Sequence, residues 1–523
     1  MKTPVDRPAV PGRSSYAYPA MNAFVLAAST LLVLSVAAGA QELDPPGRVY
    51  STGALPTPAE QIAAMPRTPV YRAHLPEFVD LRDRLPAVGD QGDQGSCTAW
   101  AVGYAARSYY NSPPEGGRNL SFDDIPSPAY IYDSIRDSVD NCDEGSYIWT
   151  ALDLLRDYGA ASYADYPYDD DRCSRPGPNA VSQGSRFRIA DWKDVDPGEP
   201  DQIKAELAGG HPVVIAMYHD ERFFELRGPE VWRAGLPDED DGYHAMTVVG
   251  YSEREQQFTL MNSWGQGWGD AGFTYVPYDT FRKRVGEAYT MRLLQAPVPP
   301  PPPPPPVPNV EGPDLPAINC GRVAIEERDG EAVIVGFVGS DDDLSAIAEA
   351  AEPFDVPTRI DVRPWPQCEA IMTMEEPLAH ESPPQIQLPR ESYRSGETLA
   401  FGVRMAGFQG YLHIAYIQAD GNVVNLVQSD PLALATLAPG AELKFGDGLE
   451  GRPKFTVSEP FGREMIVALA SKSPLFAEDR PLVETEREFL TALRKAIIAR
   501  PDPGQPERVV SATFMTLETI SGD

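Results

Sequence analysis

The run from Pro299 to Pro306 constrains this 523-residue chain more than any other feature. Proline has no backbone N–H and a fixed φ, so such a run can occupy neither a helix interior nor a central strand. It adopts extended polyproline II and acts as a semi-rigid spacer. Residues 296–317 therefore read as a linker, with one large domain before it (75–295) and two smaller units after it (318–375 and 386–523). A length of this size accommodates roughly two to four domains. On this reading the linker severs the first domain from everything that follows.

The N-terminal part has its own punctuation. Met21 to Ala40 is an apolar run ending in Ala38-Gly39-Ala40, preceded by Lys2, Arg7 and Arg13. That is the pattern of a signal peptide with a small-residue cleavage site, too short for a comfortable membrane span. Residues 1–40 are thus expected to direct export to the periplasm or medium; the alternative is an uncleaved membrane anchor. Residues 41–74 read as a short pro-segment or linker. Pro45, Pro46, Pro56, Pro58, Pro66 and Pro69 leave only Ala59 to Met65 free to form a helix, and a short strap lying in a cleft is one use for such a stretch. The net charge of −33 argues against a nucleic-acid partner, whose phosphates would be repelled.

Chemistry concentrates between residues 75 and 295. In Asp90-Gln91-Gly92-Asp93-Gln94-Gly95-Ser96-Cys97-Thr98-Ala99-Trp100, a turn-forming run gives way to an alanine-rich segment that favours a helix from Thr98 to about Tyr110. A thiol at a helix N-terminus meets unpaired N–H groups and the positive end of the dipole, which lower its pKa. Tyr243-His244-Ala245 opens a short apolar strand, and Asn262-Ser263-Trp264-Gly265-Gln266-Gly267-Trp268 forms a glycine-rich loop. His244 and Asn262 follow Cys97 by 147 and 165 positions.

These motifs, with Leu75 to Asp80 and Glu144 to Trp149, resemble the papain family of cysteine peptidases over about Leu75 to Leu294. The resemblance implies an α+β, two-lobe papain-like fold and a hydrolase acting on protein or peptide substrates without a cofactor. It assigns Cys97 as nucleophile, His244 as its ion-pair partner and proton donor, and Asn262 as the group orienting the imidazole. Gln91, with the Cys97 N–H, would bind the oxyanion; Gln94 is a nearby alternative amide. Trp264 would cover the His–Asn contact. Gly145, Ser146, Tyr147 and Ala245 would bind substrate on the non-primed side; Tyr147, Ile148 and Ala245 suggest an apolar side chain two residues before the scissile bond. Two other uses of the same fold stay open: a catalytically weak or inactive peptide-binding protein, and an acyl-transferring enzyme.

Some positions depart from the family pattern. Gln94 stands where most relatives place a cysteine, Thr98 replaces an aromatic residue, and Tyr243 replaces an Asp or Asn. The local pattern is closer to a bacterial branch. Of five cysteines, Cys97 is the natural free thiol. By resemblance Cys142 and Cys173 occupy half-cystine positions lacking their usual partners, so they are expected to pair, as are Cys320 and Cys368. No CxxC occurs and the histidines are scattered, so no metal site is expected.

After the linker, Val323–Glu326 and Ala332–Val338 read as a hairpin around Asp329-Gly330, followed by a helix at Asp343–Glu352 and a strand at Thr358–Trp365. The last unit alternates as strands at Thr398–Met405, Gly410–Ile417, Val423–Val427, Lys454–Val457 and Glu464–Ser471, then a helix opened by Thr485 and Glu488, then a strand near Val509–Leu517. Arg394–Leu399, Gly410–His413 and Glu459–Gly462 resemble a β-sandwich domain of unknown function found on bacterial envelope-associated proteins. An envelope component or another protein is the expected partner of these modules.

Overall fold

The computed structural model describes residues 48, 50–69, 72–113, 120–136, 144–171, 174–293, 313–328, 331–427, 436–450, 452–501 and 508–522. The export segment, the proline run, the Asp329-Gly330 turn, Cys142 and Cys173 lie outside them. Among the described residues no helix is long and apolar enough to cross a membrane.

A seven-stranded sheet organises the first domain. Its strands are β1 (Phe78–Asp80), β2 (Asp191–Asp194), β3 (Val213–His219), β4 (Gly242–Ser252), β5 (Gln257–Met261), β6 (Phe273–Pro277) and β7 (Val285–Arg292). They run in the order β2-β7-β3-β4-β5-β6, with β1 pairing to β4. The central strands β3 and β4 read as near-continuous apolar runs because both faces are covered. On one face Val214, Ala216, Ala245, Tyr289 and Met291 pack against the helices at Cys97–Arg107, Pro128–Ile135 and Ile148–Asp157. On the other, Val213, Ile215, Met217, Met246 and Val248 pack against Ile203, Leu207 and Phe281. The helix carrying Cys97 starts at Cys97 itself, one residue earlier than expected, and widens from α to π-type hydrogen bonding at Trp100–Arg107. In the N-terminal segment the proline pattern is borne out by a helix at Ala59–Ala64.

The hairpin after the linker forms as β8 (Gly321–Arg328) and β9 (Glu331–Val338), with β10 (Thr358–Val362) added in parallel to β9. A helix at Asp341–Ala351 covers it through Ile347 and Ala351. β10 stops three residues before the expected Trp365, because Pro364 and Pro366 supply no ladder donor. A helix at Gln367–Thr373 follows, and Cys368 on it forms the expected disulfide to Cys320.

In the last unit, strands β11 (Gln385–Gln387), β13 (Phe401–Arg404) and β16 (Glu442–Phe445) form one sheet. β12 (Ser392–Arg394), β14 (Tyr411–Ile417), β15 (Val423–Val427), β17 (Gly462–Ser471), β18 (Val483–Glu484) and β19 (Val510–Ile520) form another. Phe401, Val403, Leu412, Ile414, Ile466 and Ala468 fill the space between them, giving a sandwich. The far face of the larger sheet is covered by the helix Glu486–Ile497, whose Phe489, Leu490 and Leu493 meet Ile417, Val467 and Leu469. Thr485 and Glu488 make the reciprocal capping box read from the sequence. The expected strand at Lys454–Val457 is only two isolated bridges, Asp447 to Lys454 and Thr398 to Thr456, beside donor-less Pro453.

Contrary to the severed arrangement expected from the proline run, the C-terminal units dock on the first domain through buried charge. Arg494 pairs with Glu369 at 2.9 Å and with Asp201; Lys204 pairs with Asp201 at 2.6 Å and with Glu253. Glu369 also accepts from the Leu75 N–H at 3.0 Å and contacts His74 Nδ1 at 3.2 Å. Burial pushes the Asp201 carboxyl up, but the Lys204 and Arg494 charges outweigh it and hold the pKa well below the ordinary range. Stability from Asp201 is therefore present above the ordinary carboxylate pKa, and is lost as pH falls from there toward the depressed folded value. Replacing Arg494 by Met leaves Asp201, Glu253 and Glu369 with only Lys204 and His74 among the described partners. Urea unfolding should show a loss of about 3–5 kcal/mol; an unchanged midpoint would mean the docking does not depend on this network.

Candidate active site

The local fold places each expected catalytic side chain by a different device. Ser96 precedes the helix whose first residue is Cys97. His244 lies in β4 opposite Met217 of β3. Asn262 follows the end of β5, with its N–H bound to Gly272 O. The result is a contact at 2.7 Å between His244 Nε2 and Asn262 Oδ1. The same Oδ1 accepts the Ser263 N–H at 2.8 Å, which fixes the carboxamide. Nδ1 of His244 has no hydrogen-bond partner among the described residues. The Cys97 sulfur takes backbone N–H contacts from Ala245, Gly53 and Thr98, so the thiol lies against the residue next to His244.

Trp264 stacks on the His244 ring at 4.5 Å, as expected for a cover over the His–Asn contact. Trp268 is a core residue, edge-on to Trp264, with its N–H on Phe223 O. Gln91 is fully buried: its Oε1 accepts from Ser263 Oγ at 2.6 Å, and its Nε2 donates to Gln94 O at 3.0 Å. Gln91 thereby ties the nucleophile loop to the asparagine loop. The Gln94 amide reaches Asp170 O instead, away from the thiol.

A second strand of chain fills the groove. Tyr50 stacks on Trp264 at 4.7 Å, and Trp264 Nε1 donates to Ser51 O at 2.9 Å. Ser146 N–H donates to Gly53 O at 2.7 Å, and Leu55 N–H donates to Ser146 O at 3.1 Å. Ala54 thus pairs with Ser146 in parallel, and Arg48 anchors the upstream end on Asp90 at 3.0 Å. Close approach requires glycine on both sides: a Cβ on Gly53 would lie 2.1 Å from Gly95 O, and one on Gly145 would lie 2.7 Å from Gly53 O. Of the expected substrate-binding residues, Gly145, Ser146 and Ala245 therefore line the strap. Tyr147 is half-exposed and stacks on Trp149.

This cover reverses the expected electrostatics. Burial pushes the Cys97 thiol up to about 11, against the backbone N–H contacts that favour the anion. Burial, and then the neighbouring charge of His219, lowers His244 to about 3 despite the Asn262 contact. At neutral pH the pair is thiol and neutral imidazole, not the ion pair expected from the helix dipole alone, because desolvation of both groups outweighs that dipole. Sequence reasoning missed Tyr50, Ser51 and Gly53 of the strap, and Ser263 as the bridge to Gln91. It also missed His219, buried 6.0 Å from both the His244 and Trp264 rings. The proline pattern of residues 41–74 pointed to a strap, but no motif singled out these positions within it.

Residues 75–289 match the family described as papain family cysteine protease. This segment is a papain-family domain. Residues 392–474 match a domain of unknown function, DUF4384. An uncharacterised peptidase C1-like protein of Acanthamoeba polyphaga mimivirus is 28% identical over 218 residues, covering 39% of this chain and 68% of that protein. A cysteine protease of Blomia tropicalis is 28% identical over 208 residues, covering 39% of this chain and 61% of the relative. Among solved structures, xylellain, a cysteine protease from Xylella fastidiosa, aligns at 25% identity with a TM-score of 0.39, covering 47% of this chain and 97% of that one.

If the strap sets the protonation state of the papain-family site, Gly53→Val, which cannot fit against Gly95, should free the thiol. Alkylation of Cys97 by iodoacetamide at pH 7 should then be at least about tenfold faster than in the parent chain. Equal rates would show that the strap does not protect it.

Proposed function

We propose that this chain is an exported cysteine endopeptidase, held latent by residues 48–57 and acting through Cys97, His244 and Asn262. The observation that carries the reading is the His244–Asn262 pair under Trp264, with the Cys97 sulfur held by the Ala245 N–H beside it. In the open site the Cys97 thiolate attacks a peptide carbonyl, His244 protonates the leaving amine, and water activated by His244 hydrolyses the thioester. Asn262 keeps the imidazole oriented, as the carboxylate does in a serine triad. Export rests on the signal-like segment at residues 21–40, and the C-terminal units are proposed to bind an envelope or protein partner.

The direction of the strap supports latency. Residues after Gly53 lie on Ser146, on the side that receives the residues before a scissile bond, while Tyr50 and Ser51 lie on Trp264. The strap therefore runs opposite to a substrate, and its Gly53 carbonyl is occupied by the Ser146 N–H. It covers the groove without presenting a bond for attack.

An epoxysuccinyl reagent should label the parent chain after prolonged incubation and Gly53→Val at once, with no labelling of Cys97→Ala. Peptide hydrolysis should disappear in Cys97→Ala and fall by ~10²-fold in Asn262→Ala. Labelling without hydrolysis would favour a peptide-binding protein, and amide product from an added amine would favour acyl transfer.

A further inference from the structure

The junction between the N-terminal segment and β1 is gripped from beyond the proline run. The His74 N–H donates to Asn319 O at 3.3 Å, and the Leu75 N–H donates to Glu369 Oε2 at 3.0 Å. His74 Nδ1 contacts the same carboxylate oxygen at 3.2 Å. Asn319 and Glu369 are each the immediate neighbour of one half of the Cys320–Cys368 disulfide, so a single bond braces both grips. Arg494 Nη1 holds Glu369 from the helix Glu486–Ile497 at 2.9 Å. Arg72 pairs with Glu486 at 3.7 Å, and Leu75 lines a small cavity with Trp365 and Leu490.

Ala73 and Leu75 are buried. A protease binds its substrate as an extended segment whose backbone groups pair with the enzyme. At His74 and Leu75 the N–H groups are already taken by the C-terminal units, so a foreign groove cannot receive this stretch while the units stay docked. Upstream, the Thr68 N–H bonds to Asp194 O and the Asp194 N–H to Pro66 O, so that stretch is pinned by the first domain itself. The strap over Cys97 is held at intervals, and its covalent tie at Leu75 returns it to the groove at high effective concentration. A cut within residues 72–75 makes the strap a separate peptide and removes that advantage. The seam between the docked units carries the pairs Arg494–Asp201, Arg487–Glu199 and Arg500–Glu255. Charges that part regain water, which offsets much of the lost pairing, so such a seam opens at lower cost than an apolar one.

We propose that the C-terminal units are a latch on latency: docked, they shield residues 72–75 from cleavage and so keep the strap tethered over Cys97. Their undocking, rather than a change inside the groove, is then the step that permits activation. This rests on the peptidase reading and on the strap's part in it.

The test uses the full chain carrying Cys97→Ala, so that no cleavage is its own, with trypsin as the probe. The Arg72 side chain is exposed, so protection of the Arg72–Ala73 bond reads the backbone cover alone. Mass spectrometry follows the fragment that begins at Ala73, and Arg107, buried in the Cys97 helix, reports unfolding. Arg494→Met and, separately, Cys320→Ser/Cys368→Ser should each release that fragment at least about tenfold faster than the Cys97→Ala parent, with Arg107 uncut. Equal rates overturn the latch. Cutting at Arg107 in step with Arg72 in both variants also overturns it, because the protection then belongs to the whole fold. With Cys97 restored, trypsin treatment of either variant should speed epoxysuccinyl labelling of Cys97 by about tenfold over the treated parent. Faster release at Arg72 without faster labelling supports the shielding of the junction and overturns the strap's role in latency. Absence of labelling in every chain that carries Cys97 overturns the peptidase reading.

Discussion

Desolvation of one thiol and one imidazole sets the electrostatics of the groove. Cys97 sits at a helix start with three N–H groups around its sulfur, an arrangement that favours a thiolate. Yet Tyr50, Gly53 and Ala54 close the groove, and neither member of the pair is charged at neutral pH. Water exclusion overrides the local field because removing an ion from water costs more than a few oriented dipoles return. Site geometry and site protonation are thus separable, and burial bears on the second.

The N-terminal segment is attached by polar contacts at intervals, with Tyr50 and Ala54 packed into the first domain's apolar clusters between them. Arg48 on Asp90, Thr57 on Glu287, Arg67 on Asp194 and the Leu75 amide on Glu369 hold it at successive points along the domain. The helix between these points, Ala59–Ala64, buries no residue. A segment held this way opens locally more easily than a core strand does. The final anchor belongs to the C-terminal half: Glu369 contacts Arg494, His74 and Leu75 together. The start of the peptidase domain and the docking of the C-terminal units therefore share one carboxylate.

Much of the fold was readable because local signals and tertiary packing agreed. The hairpin at 321–338, the capping box at Thr485 and Glu488, and the alternation in β14, β15 and β17 all appear where expected. Errors fell where proline withdrew a donor, at Pro364 and Pro453. The site was legible in part through motifs: His244, Asn262 and Trp264 meet as expected, and Cys97 lies against Ala245. Ser263 and His219 were not legible, because each meets the site through neighbours remote in sequence and belongs to no short pattern.

What the chain determined locally is the order of the motifs around Cys97, His244 and Asn262, the secondary structure on which they ride, and the cysteines that pair as Cys320 and Cys368. What only the tertiary structure decided is their environment. Whether the thiol is charged, what occupies the groove, and where Arg494 finds its acids all depend on which segments exclude water from which. Burial is a property of the packed surface as a whole, and stretches of sequence read one at a time carry no record of it.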